Sequence, residues 1–82
     1  MESRVVHKKW ITFRLFEEKP KTEIWAVLTK GDKLVLGVIR WHGPWRSYAF
    51  FPKGGTLYEE DCLRDIADFI EEKMKEWRQK KK

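Results

Sequence analysis

With 82 residues, a single cysteine and a net charge of +5, the chain forms one small domain that has to fold by packing alone. Cys62 has no partner for an internal disulfide, and no His/Cys cluster has metal-ligand spacing, so neither a bridge nor a cofactor is expected. No apolar run is long enough for a signal peptide or a bilayer span, so no membrane partner is expected and the cytoplasm is the expected compartment.

The charge is uneven. Residues 1–56 carry 11 Lys/Arg against 5 Asp/Glu, whereas residues 57–82 carry 7 against 8. A basic half joined to an acidic segment draws polyanions to one side of the molecule. The plainer reading is a solvated surface on which charge happens to be segregated.

After a short N-terminal stretch that reads as a tail, four segments alternate with period two. Residues 10–16 set Ile11, Phe13 and Leu15 against Trp10, Arg14 and Phe16. Residues 23–29 set Ile24, Ala26 and Leu28 against Trp25 and Val27. Residues 33–41 set Leu34, Leu36 and Val38 against Val35, Ile39 and Trp41, and residues 45–51 set Tyr48 and Phe50 against Trp45 and Phe51. Lys30-Gly31-Asp32 predicts a three-residue hairpin loop that pairs Thr29 with Lys33, with Gly31 supplying an unusual backbone angle. His42-Gly43-Pro44 predicts a second loop, pairing Trp41 with Trp45, Val38 with Tyr48 and Leu36 with Phe50.

Thr56-Leu57-Tyr58-Glu59 has capping-box spacing, so a helix is expected over about residues 57–78 with a flexible tail at 79–82. Its apolar stripe is Leu63, Ile66, Ala67, Ile70, Met74 and Trp77, with Cys62 and Phe69 at the edge. The expected architecture is a single α+β domain over residues 1–82, a four-stranded antiparallel meander with one C-terminal helix packed on one face.

One helix buries one sheet face. The more aliphatic set, running from Ile11 to Phe50, is its natural partner. The opposite face then carries Trp10, Arg14, Trp25, Val27, Val35, Ile39, Trp41, Trp45 and Phe51, too apolar for a bare surface. Two readings compete. In one, tryptophans stack unpaired bases while Lys8, Lys9, Arg14, Arg40, Arg46 and Lys53 hold phosphates. In the other, the same rings are the core of an interface with a second copy of the chain. A dimer burying part of the face satisfies both.

Catalysis finds no support. His7 and His42 are far apart in sequence, and Asp61, Asp65 and Asp68 recur on a solvated helix face. Cys62 sits near a helix start, where a thiol pKa can fall, but its place beside the apolar stripe suits a small buried hydrophobe.

From Trp41 the chain reads W-x-G-P-W-R-x-Y-x-F-F-P, through Gly43, Pro44, Trp45, Arg46, Tyr48, Phe50, Phe51 and Pro52, and then C-L-x-D-I-A-x-F-I over Cys62–Ile70. This pattern resembles a group of small uncharacterised proteins from phage and bacterial genomes, and covers the C-terminal half. The resemblance implies no activity. The strand-to-helix layout is also similar to PUR-type and Whirly-type modules, which run four antiparallel strands into a helix, associate in multiple copies and bind single strands. No PUR signature residue matches, so no site residue is carried over from them.

The sequence therefore predicts a non-enzymatic, single-stranded nucleic-acid-binding protein, DNA or RNA, working as a homodimer without a small-molecule substrate. Its stacking residues are Trp10, Trp25, Trp41 and Trp45. The alternatives are a protein-interaction or assembly module, or a phage-type accessory inhibitor of a host DNA-processing enzyme.

Overall fold

In the computed structural model, which describes residues 4–31 and 34–81 (80 and 81 in backbone only), five strands precede one long helix. They are β1 (Val5–His7), β2 (Ile11–Glu18), β3 (Glu23–Thr29), β4 (Val35–His42) and β5 (Ser47–Pro52), followed by α1 (Glu60–Lys81). Each strand is antiparallel to the next in the order β1-β2-β3-β4-β5. No described helix is long and apolar enough to cross a membrane.

The extra strand is β1. Val5-Val6 is too short to show alternation, so residues read as a tail form an edge strand. The Lys8 amide donates to the Ile11 carbonyl at 2.9 Å, and the turn it closes folds β1 onto β2. β3 has its expected bounds. β5 starts at Ser47 instead of Trp45, because Gly43–Trp45 form a turn of 3-10 helix with Pro44 inside it.

Register decides which side chains meet the helix, and it differs from expectation in two places. The expected Thr29–Lys33 pair lies outside the described residues; Thr29 donates instead to the Leu34 carbonyl at 2.9 Å, and a bulge beside Val27 leaves Ala26 opposite Val38. At the other hairpin, Trp41 pairs with Tyr48, Ile39 with Phe50 and Val38 with Phe51. Moving the partner of Trp41 from residue 45 to residue 48 is an odd shift, and an odd shift exchanges the faces of one strand relative to its neighbour. Gly37 sits where β5 closes most tightly. A Cβ there would come within 2.9 Å of the Phe50 ring and of the Pro52 Cα.

Trp25, Val27, Ile39 and Trp41 therefore join Ile11, Phe13, Leu15, Tyr48 and Phe50 on the helix side. Ile24, Ala26, Leu28 and Val38, expected under the helix, take the other face, and Leu34 is exposed. Leu36 remains in the core. Sorting β3 by aliphatic content picked the wrong row because the helix brings rings of its own. Phe13 lies flat against Phe69, with centroids 4.1 Å apart and planes 7° apart, and Trp25 meets Phe69 edge-on at 5.0 Å.

The helix is shifted and rotated from expectation as well. It starts at Glu60 because the Thr56 hydroxyl donates back to the Lys53 carbonyl (2.7 Å), leaving Glu59 to accept the Cys62 amide (2.9 Å) as the side-chain cap. That bond also holds the Glu59 carboxyl below its usual range. Helical backbone continues through Lys81, over residues expected to be a tail. Ile66, Phe69 and Lys73 are the buried positions, with Cys62, Ile70, Met74 and Trp77 packed beside them. Leu63, 49% exposed, and Ala67 face away.

A lysine in the buried stripe needs a partner. Lys73 Nζ lies 3.2 Å from Glu23 Oε1 and 3.0 Å from Glu76 Oε1, and 4.6 Å from the centroid of the Trp25 ring. Glu23 also accepts from Trp25 Nε1 (2.9 Å) and from Arg4, and its amide donates to Tyr48 Oη at 3.0 Å. Among the described residues, no buried side-chain polar atom lacks a partner. Burial pushes the Glu23 carboxyl up, but the bonds from Trp25, Arg4 and Lys73 outweigh it and bring the pKa down to about 2.

The sign of the pH effect follows. A carboxyl whose folded pKa is depressed stabilises the protein above its unfolded value, and that contribution disappears as pH falls from about 4.5 towards about 2. Glu23→Gln is expected to cost about 3 kcal/mol near neutral pH, since it takes the buried carboxylate from an ammonium that then keeps only the half-exposed Glu76. Urea unfolding at pH 6 and pH 3 checks both points: the gap between wild type and variant should narrow at the lower pH. An equal gap at both would remove Glu23 as the titrating group.

Candidate nucleic-acid interface

Pleating carries Arg14, Ala26, Val38, Arg40 and Phe51 to the sheet face away from the helix. Near the β4–β5 end, polar and aromatic groups interlock. The Arg40 guanidinium lies over the Phe51 ring, 4.0 Å from its centroid. The His42 imidazole meets Phe51 at 5.8 Å and Trp45 at 4.8 Å, edge-on in both cases. Trp45 projects from the 3-10 turn and is 73% exposed. The result is a row of cation and rings, Arg40–Phe51–His42–Trp45, with the exposed Arg14 on β2 of the same face. Phe16, 72% exposed, stands at the bulge where β2 slips against β3.

The ten residues singled out from the sequence do not form one site. Trp45 and Arg40 belong to the row just described. Trp25 is a correction: at 1% exposure, beneath Phe69 and Lys73, its ring has no face left for a base. Trp41 is a second correction. It is half-buried on the helix side, where it packs on Trp77 (4.6 Å, 31°) and edge-on to Tyr48 (5.5 Å). Arg46 lines an open cleft beside that pair, together with Lys21, Thr22 and Gly43.

Trp10 and Lys9 lie at the other end of the sheet, since the start of β2 pairs with the end of β3 and so with the start of β4. Trp10 is 47% exposed, has Lys9 Nζ 5.5 Å from its ring, and donates its amide to Asp65 on α1 (3.0 Å). Lys8 is paired with Glu72 at 2.8 Å. Lys53 follows β5 at that same end, its amide bonded to the Leu36 carbonyl. The sequence reading missed the contributions of His42, Lys21 and Trp77. Trp77 was visible only as a member of the helix stripe, and a loop lysine such as Lys21 carries no periodic signal.

Among the described residues, no group of three or more His, Cys, Asp or Glu could hold a metal ion. His7 Nδ1 is hydrogen-bonded with the Thr12 hydroxyl at 3.2 Å, and His42 is packed among rings. Burial and then the Glu59 carboxylate push the Cys62 thiol up, the opposite of an activated nucleophile.

Trp25 and Trp45, both expected on the stacking face, thus have opposite environments, 1% and 73% exposed. Trp25→Ala is expected to cost about 3–5 kcal/mol in urea unfolding, and Trp45→Ala less than about 0.5 kcal/mol. Equal losses would contradict the face assignment.

No family model matches the chain, and no solved structure matches it. Over 59 residues it is 37% identical to the "Uncharacterized 9.3 kDa protein" of Acholeplasma phage L2, an alignment that covers 72% of this chain and 76% of that protein.

Proposed function

The chain belongs to the family of that Acholeplasma phage L2 protein, and we propose that it binds single-stranded nucleic acid on the open sheet face. The observation that carries this reading is the Arg40–Phe51–His42–Trp45 row, an exposed indole and a guanidinium-backed ring on a domain of net charge +5. Stacking on such rings tolerates any base, and arginines alongside meet the phosphates. Duplex would be disfavoured, because its bases are already stacked on one another.

The surface is smaller than four tryptophans would have made it. Trp45, Phe51 and Phe16 replace Trp25 and Trp41 as the rings, with Arg40 against Phe51 and Arg14 farther across the same face. The layout likeness to PUR-type and Whirly-type modules supports the reading only as an arrangement, and here the sheet has five strands where those have four.

A homodimer is part of the same proposal. Val35, exposed on the open face, lies with the exposed Leu34 at the end remote from Trp45. An aliphatic patch there suits a second copy and leaves the aromatic end free.

Titrating the full chain with an unlabelled unpaired oligonucleotide, read by its own tryptophan fluorescence, tests the reading. Quenching is expected at low salt, weakening with a log–log slope of about −0.7 per phosphate neutralised. Trp45→Ala is expected to cost about 1–3 kcal/mol of affinity, and Arg40→Ala to reduce the salt slope by about one phosphate. No quenching at low salt would leave the open face to a subunit or another protein partner.

A further inference from the structure

Around the corner from the open face, the cleft lined by Lys21, Thr22, Trp41, Gly43, Arg46 and Trp77 has a volume of about 450 Å³. That is the size range of small-ligand sites. Its wall is the Trp41–Trp77 pair, two half-buried indoles 4.6 Å apart and tilted by 31°. Ring planes this close leave no room for an inserted base, so a planar ligand stacks on an outer indole face. The two charged residues of the lining are both cations, and no acid is among them.

Arg46 adds a second observation. It has φ 52° and ψ 48°, the left-handed region, and is the only described non-glycine residue with positive φ. Glycine takes this conformation without a steric cost. Here the conformation belongs to the turn, whose last amide, that of Arg46, donates to the Gly43 carbonyl at 3.0 Å, and the turn places the arginine at the cleft.

We propose that this cleft is a nucleotide site, in which an outer indole face of the Trp41–Trp77 pair stacks the base while Lys21 and Arg46 hold the phosphate. The nucleotide is either free or the phosphorylated end of a single strand. The cleft does not depend on the open-face reading, because it uses different rings and different cations.

Calorimetry of the full chain with adenosine 5′-monophosphate, adenosine and inorganic phosphate tests it. The monophosphate is expected to bind more tightly than either fragment. Lys21→Ala and Arg46→Gly should each weaken it roughly fivefold, as for an exposed ion pair, and leave adenosine unchanged. Trp77→Phe should weaken both the monophosphate and adenosine. Arg46→Gly removes the side chain without removing a backbone fit, so its melting temperature is expected to hold or rise, which keeps the test independent of folding.

Two oligonucleotides, one ending in 5′-phosphate and one in 5′-hydroxyl, identify the source. If Lys21→Ala affects only the phosphorylated one, the ligand is a strand end; if it affects neither while the monophosphate responds, the ligand is a free nucleotide. Monophosphate binding that is absent, or unchanged in Lys21→Ala and Arg46→Gly, overturns the proposal. Oligonucleotide binding lost in Trp45→Ala with monophosphate binding retained separates this site from the open face.

Discussion

Lys73 enters the core as a charge, and the way that charge is met sets the helix on the sheet. An ammonium taken out of water costs several kcal/mol unless it is paired. Here it is enclosed by the Glu23 and Glu76 carboxylates and by the Trp25 and Phe69 rings. Glu23 and Trp25 are two residues apart on β3, so they point to the same side, and only one orientation of that row offers both to the helix. Buried ion pairs are weak sources of net stability, but they discriminate well between alternative packings. Rotating α1 to bring Leu63 inward would strand Lys73. Turning β3 over would strand Glu23.

Everything on the outer face follows from that choice. With Trp25, Val27, Ile39 and Trp41 committed to the helix side, the open side receives Ala26, Val38, Arg40 and Phe51. The 3-10 turn at Gly43–Trp45 then separates two neighbouring aromatic sites. Trp45 leaves the turn beside His42 on the open face, while Arg46, one residue later, lines the Trp41–Trp77 cleft. The segment W-H-G-P-W-R is therefore a corner of the domain, with one tryptophan serving each side.

Much of this was legible in the sequence. Period-two alternation located β2 to β5, the glycine turn appeared at Gly31 with φ 88°, and Tyr48, Phe50, Trp45 and Phe51 were assigned to the correct faces. What failed was register. Bulges beside Leu15 and Val27 and a turn longer than His42-Gly43-Pro44 each add residues that no period-two pattern reveals. Because the side-chain period is two, each odd addition moves a whole row to the other face. A clue was present in Lys73, three and four residues from Ile70 and Phe69 in an apolar stripe, which demanded a carboxylate opposite; Glu23, at the head of a strand, was the matching residue. The short β1 had no such signal, since three residues are too few to show a pattern.

The proposed recognition of unpaired bases on the open sheet face requires that the Trp25 row stay sealed under the helix, where Trp25 is buried. The indole N–H resonances of the full chain, followed by two-dimensional NMR during titration with a short unpaired oligonucleotide, address both halves at once. The Trp45 signal is expected to move with the titration and the Trp25 signal to stay fixed and exchange slowly with solvent. A Trp45 signal that does not move, or a Trp25 signal that exchanges freely or shifts with the ligand, would contradict it.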